Sequence, residues 1–243
     1  MSALLAADGL AKRFGGITAV DSCSFAVPAG TITALVGPNG SGKTTVFNLL
    51  TGYLRADSGS VSFAGRAIRR PDPVRLARAG LTRTFQQARV FPELTLVENL
   101  AVASQQPRRA LLQRALSRAD STRALGLLEE FGLAGQAHER AGSLSYGQRK
   151  LLEFAAVLMG EPRLVLLDEP TAGVNPVLVE TMERHIRRLH ERGLTFLVVE
   201  HNMNLVMRLC DPVIVLDHGT KLAEGPPETV QSDPRVLDAY LGS

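Results

Sequence analysis

A glycine-rich segment carries the clearest chemical signal in the sequence. Residues 37–44 read Gly-Pro-Asn-Gly-Ser-Gly-Lys-Thr, and they lie between a strand pattern at residues 31–36 and a helical pattern at residues 43–50. Glycines let successive backbone N–H groups turn towards phosphate oxygens at a helix N-terminus. In such a loop the lysine contacts the outer phosphates of a nucleotide, and the hydroxyl that follows it can hold Mg²⁺. The segment predicts a nucleoside triphosphate site formed by Gly37, Pro38, Asn39, Gly40, Ser41, Gly42, Lys43, Thr44 and Thr45.

Two acids follow a second apolar run. Residues 164–167 read Leu-Val-Leu-Leu, which predicts a buried strand, and the run ends in Asp168 and Glu169. By itself, such a pair is common where a strand enters an exposed turn. Beside a phosphate loop, Asp168 is placed to orient Mg²⁺ through its water shell, and Glu169 can polarise the water that attacks the γ-phosphate. We therefore interpret Glu169 as a catalytic residue.

A serine marks the start of a third helical pattern. Ser145 stands where an N-cap would, and leucines and alanines repeat at helical spacing over residues 151–158. Taken alone, this segment is an ordinary capped helix. Its start nevertheless predicts a second exposed helix N-terminus.

The patterns at the start of the chain predict a hairpin and a strand–loop–helix unit. Polar and apolar residues alternate at 22–27, a Pro-Ala-Gly turn follows at 28–30, and residues 31–36 have the composition of a strand. We expect these two strands to pair in an antiparallel hairpin that opens the domain. The helix over residues 43–50 then ends near Gly52.

The rest of the chain predicts an α/β fold with an inserted helical part. Residues 164–167 and 195–199 are short apolar runs typical of buried parallel strands, with a helix over 176–191 between them. Residues 95–133 are rich in good helix formers and poor in β-branched residues, which predicts an inserted helical subdomain. A short peripheral helix is expected beyond residues 226–227.

Composition excludes several classes. No stretch approaches the roughly 18 apolar residues that a membrane span needs, and Asp8 lies where a signal peptide would still be apolar. Cys23 and Cys210 are too few and too far apart for a disulfide framework, so we expect two buried thiols in a reducing cytosol. Arginines cluster without interleaved aromatics, which favours solvated helix faces over a nucleic-acid surface. They are Arg66, Arg69, Arg70, Arg75, Arg78 and Arg83, then Arg108, Arg109, Arg114, Arg118 and Arg123.

Taken together, the motifs resemble those of the ABC ATPases. Residues 37–44 are similar to Walker A, residues 144–148 (Leu-Ser-Tyr-Gly-Gln) to the signature, residues 164–169 to Walker B, and His201 to the switch histidine, in the family's order and near its spacing. The resemblance implies a P-loop NTPase core of ABC type with an antiparallel β subdomain. It places the core at residues 1–87 and 161–243, the signature-bearing helical subdomain at about 88–160, and peripheral helices at about 226–243.

The resemblance also implies roles for individual residues. The signature residues Ser145, Tyr146, Gly147 and Gln148 would cap the γ-phosphate held by Lys43 of a second, oppositely oriented ATPase. His201 would hold the attacking water, whereas the other four histidines, His138, His185, His190 and His218, are interpreted as structural. Gln86 would act in catalysis and, with Thr44 and Asp168, at Mg²⁺; Gln87 is its rival. Phe14 would stack on adenine, although a plain core phenylalanine is the alternative.

Two positions depart from the family pattern. Asn175 lies in the D-loop, where most relatives carry an aspartate, so its contact across the dimer is in doubt. Tyr146 replaces the commoner glycine of the signature, but Gly147 is kept, and its backbone is the part expected to face phosphate.

A finer resemblance is to the ATP-binding proteins of branched-chain, or hydrophobic, amino acid importers. It rests on Leu-Ser-Tyr-Gly-Gln, on Arg-Thr-Phe-Gln at 83–86, on Ala-Gly-Val-Asn-Pro at 172–176, on Glu-His-Asn-Met at 200–203, and on Ala-Tyr-Leu-Gly at 239–242. It implies a homologous or identical ATPase partner, two membrane permeases and an extracytoplasmic substrate-binding protein. The chain would then lie on the cytoplasmic face of the inner membrane, and no nucleic acid is expected.

Other functions stay open. A soluble ABC ATPase acting on ribosome or DNA is one, but such relatives carry two cores or long coiled coils, and the sequence shows one core and no heptads. A P-loop regulatory switch outside the ABC class would not need the signature. Urea or amide uptake, and export, are compatible with the same ATPase.

Overall fold

The parallel strands of the fold are apolar and need neighbours on both sides. The computed structural model describes residues 3–69, 71–104 and 118–241. Its strands are β1 (Ala3–Phe14), β2 (Ile17–Pro28), β3 (Ile32–Val36), β4 (Ser58–Phe63), β5 (Arg66–Ala67), β6 (Leu81–Arg83), β7 (Leu164–Asp168), β8 (Thr195–Val199), β9 (Val213–Asp217) and β10 (Thr220–Gly225). Its helices are α1 (Lys43–Leu50), α2 (Pro73–Arg78), α3 (Leu96–Ala103), α4 (Arg118–Glu130), α5 (Tyr146–Leu158), α6 (Pro176–Glu191), α7 (Met203–Leu209), α8 (Pro227–Gln231) and α9 (Pro234–Leu241).

The central sheet has the strand order β10-β9-β3-β8-β7-β6, and its strands are parallel except for the edge strand β10. Every residue of β3, β7 and β8 is buried, as expected for parallel strands covered on both faces. The loops that follow β3, β6, β7 and β8 therefore leave the sheet at one edge, where α/β proteins bind their ligands. This edge receives the predicted phosphate loop, Gln86, Glu169 and His201.

The predicted pairing of residues 22–27 with residues 31–36 is wrong. Strand β2 instead pairs antiparallel with β1, in a separate sheet of order β2-β1-β4-β5. Strand β3 lies between β8 and β9, in parallel with both. Strand β3 is buried along its whole length, as suits an inner strand of a parallel sheet, whereas β2 has many exposed or half-buried residues, as suits the edge strand of an antiparallel sheet. Strand β1 escaped prediction because its pattern is broken at Gly9, where the backbone φ is +57° and the β1–β2 register shifts.

The helical predictions are confirmed within the described residues. Helices α1, α3, α4 and α6 lie where the sequence predicts them; residues 105–117 of the predicted helical segment lie outside the described part. Helices α3, α4 and α5 pack together around buried residues that include Leu100, Leu128 and Leu152. Phe154 of α5 also makes an edge-to-face contact with Phe196 of β8, 6.4 Å between ring centroids. The helical part is thus tied to the body of the fold by apolar packing.

Three smaller expectations concern the membrane, the cysteines and the C-terminus. Among the described residues, no helix has the length and apolar character to cross a bilayer. Cys23 and Cys210 are buried free thiols, and burial raises their pKa values to about 11 and about 12. The C-terminal helices α8 and α9 are present, and the Tyr240 hydroxyl of α9 accepts a hydrogen bond from the backbone N–H of Gly37.

Candidate active site

The phosphate loop joins β3 to α1 and closes around its own lysine. The Lys43 ammonium is buried and donates to the carbonyl oxygens of Gly37 and Pro38, both at 2.8 Å. Burial lowers the pKa of Lys43, and the negative charge of Glu169 opposes that shift. The lysine is therefore held inside the loop, close enough to Glu169 for the two charges to interact.

Glycines give the loop its shape. Gly37 has a φ of +150°, and a Cβ built there would lie 2.1 Å from the carbonyl oxygen of Leu216. Gly42 is the N-cap of α1 with a φ of +100°, and no side chain of the described residues caps this helix. A helix N-terminus without a side-chain cap leaves N–H groups for an anion. The loop thus fits the phosphate role that the sequence predicts, with Thr44 exposed and Thr45 half-buried beside it.

Three predicted catalytic side chains meet at the same edge of the sheet. The Nε2 of Gln86 donates to Oε2 of Glu169 at 2.8 Å, and the Nε2 of His201 lies 2.9 Å from Oε1 of the same carboxylate. A carboxylate only accepts, so the Nε2 of His201 carries the proton in this contact. Glu169 also adopts a left-handed backbone with a φ of +47°, a strained conformation that tends to occur at functional sites. Gln86 and its rival Gln87 are both exposed, and it is Gln86 that contacts Glu169.

A buried acid that the sequence analysis left without a role supports this cluster. Glu200 precedes His201, and its Oε1 accepts from the backbone N–H and the hydroxyl of Thr171, at 3.0 and 2.7 Å. Its Oε2 accepts from the backbone N–H of His201 at 3.1 Å. Glu200 therefore ties the loop after β7 to the loop after β8. The signal was an acid at the end of an apolar run, the same signal that identified Asp168 and Glu169.

Asp168 has an unexpected partner. The interpretation of the arginine clusters as solvated faces is wrong for Arg83, whose side chain is 7% exposed and forms an ion pair with Oδ2 of Asp168 at 2.6 Å. Arg83 also donates to Oδ1 of Asn48 at 2.6 Å, and its guanidinium lies 5.1 Å from the ring centroid of Phe85. The packing of β6 against β7 and α1 explains the burial, since Arg83 occupies the space where they meet.

The residues proposed for Mg²⁺ fit a site that is completed by nucleotide. Thr44 offers an exposed hydroxyl, while one oxygen of Asp168 is occupied by Arg83 and Gln86 contacts Glu169. No group of three or more His, Cys, Asp or Glu side chains in the described ranges could hold a metal by itself. Protein-bound Mg²⁺ is commonly held by one or two carboxylates together with substrate phosphates and water. The donor set therefore matches Mg²⁺ that arrives with phosphate.

The signature serine caps α5. The hydroxyl of Ser145 accepts from the backbone N–H of Gln148 at 3.3 Å, and Oε1 of Gln148 accepts from the N–H of Ser145 at 3.0 Å. The Tyr146 hydroxyl donates to the carbonyl oxygen of Ala172, at 3.3 Å. This bond links the signature to the segment before α6. Gly147 is crowded, because a Cβ there would lie 2.5 Å from Leu178.

The remaining predicted residues have other contacts or exposure in the structure. Asn175 caps α6 by accepting from the N–H of Leu178 at 2.9 Å, so its side chain has a structural partner in this protomer. Phe14 is 46% exposed at the end of β1 and is not a core residue of this chain. Of the other histidines, His185 stacks on Phe131 at 4.3 Å between ring centroids, and His190 bonds to a backbone carbonyl.

Comparisons with known proteins identify the family. Residues 20–172 match the ABC transporter family. The chain belongs to this family. Residues 220–243 match a second family, described as branched-chain amino acid ATP-binding cassette transporter. The resemblance stated from the motifs is therefore confirmed, and the chain is an ABC ATPase, here called the cassette, in which ATP hydrolysis is coupled to transport.

Full-length relatives support the same conclusion. The cassette is 40% identical to the high-affinity branched-chain amino acid transport ATP-binding protein LivG of Salmonella typhimurium, over 98% of both chains. It is 39% identical to the corresponding protein BraF of Pseudomonas aeruginosa, again over 98% of both. Among solved structures, a nucleotide-free ATP-binding cassette from an ABC transporter superposes with a TM-score of 0.89 at 34% identity, covering both chains completely. The ADP conformation of the cassette MJ1267 gives 0.89 at 35% identity with the same coverage. The predicted α/β fold class is confirmed.

Proposed function

We propose that the cassette powers the import of branched-chain or other hydrophobic amino acids, and that it hydrolyses ATP between two cassettes that face opposite ways. The observation that carries the hydrolytic part is the meeting of Gln86, Glu169 and His201 beside the phosphate loop. The substrate class is supported by the family match over residues 220–243 and by relatives described as branched-chain amino acid transport ATP-binding proteins.

In this proposal the phosphate loop binds and the Glu169 cluster reacts. The free N–H groups at the start of α1 and the Lys43 ammonium hold the phosphates, and the exposed Phe14 ring stacks on adenine. Glu169 accepts a hydrogen bond from the attacking water and polarises it, with Gln86 and His201 holding both partners in position. Thr44, Gln86 and, through a water shell, Asp168 would hold Mg²⁺, which would supply positive charge against the phosphates.

The dimer completes the site. Ser145 and the backbone of Gly147 lie at the exposed N-terminus of α5, where they can cap a γ-phosphate that the partner's loop holds. The partner is a homologous or identical cassette. Two permeases and an extracytoplasmic binding protein complete the importer, and the cassette lies against the cytoplasmic face of the membrane.

A single substitution tests the catalytic assignment. We expect Glu169→Gln to bind ATP with little change and to hydrolyse it at least about 100-fold more slowly, because a general base contributes a factor of about 10²–10⁴. The variant should accumulate an ATP-dependent dimer, measured by light scattering. Glu93→Gln is the control, since that side chain is 80% exposed. If Glu169→Gln hydrolysed ATP at the wild-type rate, Glu169 would not be the residue that polarises the attacking water.

The dimer and the substrate need separate tests. Ser145→Arg should abolish hydrolysis and leave ATP binding by the monomer intact; an equal loss of binding would place Ser145 at its own site. Purification with its membrane partners, followed by reconstitution in vesicles, then allows uptake of radiolabelled leucine and of urea to be compared. Uptake of urea but not of leucine would contradict the proposed substrate. Export of leucine would contradict the proposed direction of transport.

A further inference from the structure

One face of α5 carries a tyrosine and two charged side chains, and both charged side chains are buried. Tyr146, Lys150 and Glu153 follow one another at spacings of four and three residues and so lie on the same side of the helix, here called the coupling face. Lys150 and Glu153 are 3% and 5% exposed. Burying a charge is costly unless the charge is paired or hydrogen-bonded, so each of these side chains requires a partner.

The partners are backbone groups of residues 85–89, here called the Q segment. Oε1 of Glu153 accepts from the N–H groups of Phe85 and Arg89, both at 3.2 Å. The Lys150 ammonium donates to the carbonyl oxygens of Phe85 and Gln86, at 3.2 and 2.5 Å. The coupling face thus binds both the N–H groups and the carbonyl oxygens of the Q segment. Backbone contacts of this kind fix the path of the chain, whatever side chains it carries.

The same helix also contacts the loop on the other side of the catalytic carboxylate. The Tyr146 hydroxyl donates to the carbonyl oxygen of Ala172, three residues after Glu169, and the Lys150 ammonium lies 6.0 Å from the Tyr146 ring centroid. Gln86, the second residue of the Q segment, donates to Glu169. The coupling face therefore reaches both segments that border the Glu169 carboxylate.

We propose that Lys150 and Glu153 are positioning residues that connect the signature at the N-terminus of α5 to the Gln86–Glu169 contact of the same chain. Ser145 caps the same helix two turns before Glu153, so one continuous run of helical hydrogen bonds joins the two positions. The inference rests on the proposed function, in which Ser145 contacts the nucleotide of the opposite site. Closure at one site then moves the Q segment at the other, and the two sites become coupled.

Hydrogen exchange tests the connection directly. In the nucleotide-free protein, the amides of Phe85 and Arg89 should exchange at least about tenfold faster in Glu153→Ala than in the wild type, because their acceptor is gone. Glu153→Gln keeps a carbonyl oxygen at that position and should behave like the wild type. Lys150→Met gives an independent second variant if Glu153→Ala does not fold, and it should also mobilise the Q segment. Unchanged exchange in the folded variants would refute the contact as a restraint.

The coupling itself needs a nucleotide. With a non-hydrolysable ATP analogue, we expect the wild-type dimer to change the exchange of residues 85–89. The dimers of Glu153→Ala or Lys150→Met should show no such change. Their kcat should fall about tenfold or more with KM for ATP within twofold, because Gln86 is misplaced while the phosphate loop is intact. A merely structural role would lower the stability of the variants and leave kcat and the ATP-dependent exchange as in the wild type.

The outcomes separate this inference from the proposed function. If the wild type forms no dimer with nucleotide, the proposed function fails, and the coupling between sites falls with it. If the dimer forms and the Q segment of Glu153→Ala still responds to the analogue as in the wild type, the proposed function stands and the coupling role is refuted.

Discussion

Replacing Arg83 with methionine would leave the buried Asp168 carboxylate without its cation. The two side chains are 7% and 8% exposed, and their closest N···O distance is 2.6 Å. Removing one partner of a buried ion pair costs about 3–5 kcal/mol, because the remaining charge stays desolvated. Arg83→Met also removes the N–H that Asn48 accepts at 2.6 Å, so we expect a loss of unfolding free energy in the upper part of that range.

A second substitution separates the ion pair from simple loss of packing. In Arg83→Met/Asp168→Asn the buried charge is absent, and the double variant should be less destabilised than the sum of the two single variants by about 1 kcal/mol or more. Arg140→Met is the matched control, because its ion pair with Glu93 lies on the surface, with side chains 71% and 80% exposed. Such surface pairs contribute about 0–1 kcal/mol.

Urea unfolding followed by circular dichroism, without nucleotide, measures the stability of the wild type and of the four variants: Arg83→Met, Asp168→Asn, the double variant and Arg140→Met. The reasoning would be refuted if Arg83→Met lost no more stability than Arg140→Met, which would mean that water reaches the pair. It would also be refuted if the stability lost by the double variant equalled the sum of the losses of the two single variants, because Arg83 and Asp168 would then act independently.

Three further predictions concern pH, glycine and thiols. Burial raises the pKa of Glu153 from 4.5 to about 6, so its contribution to stability is full below about pH 4.5 and is lost as the pH rises through about 6. Glu153→Gln cannot titrate, so its unfolding free energy in urea should rise by about 2 kcal/mol relative to that of the wild type between about pH 4.5 and pH 7.5, at about 1.4 kcal/mol per pKa unit. If the two proteins showed the same change of stability with pH, the prediction would be contradicted. Gly37→Ala should lower the unfolding free energy by at least about 3 kcal/mol, and Gly40→Ala, with open space around its Cβ, by about 1 kcal/mol; equal losses would argue against the clash. Cys23 and Cys210 should react with a thiol reagent at about pH 8 only after unfolding, and prompt reaction in the native protein would contradict their burial.

Local patterns explain what could be predicted from the sequence. The phosphate loop, the strand before Asp168 and the N-cap of α5 each depend on residues close together in the chain, and they lie where expected. The hairpin prediction failed because strand pairing is non-local. An alternating strand and an apolar strand joined by a tight turn look like neighbours, although the turn here carries the chain from one sheet to the other.

The missed residues are charged side chains with distant partners. Arg83 binds Asp168, which lies 85 positions further along the chain, and Glu153 binds the N–H of Phe85 from 68 positions away. A charge on a helix or strand is usually solvated, so the sequence favoured the surface interpretation. A signal existed on α5, because Leu151, Leu152 and Phe154 surround the two charges and all three are buried. A helix that is apolar on most sides leaves little solvent for the charges it carries.

The geometry of Glu169 suggests why the Q segment has to move at all. Both carboxylate oxygens of Glu169 have side-chain partners, Oε1 with His201 and Oε2 with Gln86. A carboxylate that is to polarise a water must turn a lone pair towards it, and each existing bond competes for that direction. Under the proposed function, His201 holds the attacking water beside Glu169. The bond from Gln86 to Glu169 is then the one that the water has to replace. The Gln86 carbonyl is held by Lys150, on the helix that Ser145 caps. Release of the Glu169 carboxylate at one site would then depend on what Ser145 contacts at the other, which makes hydrolysis conditional on closure of both.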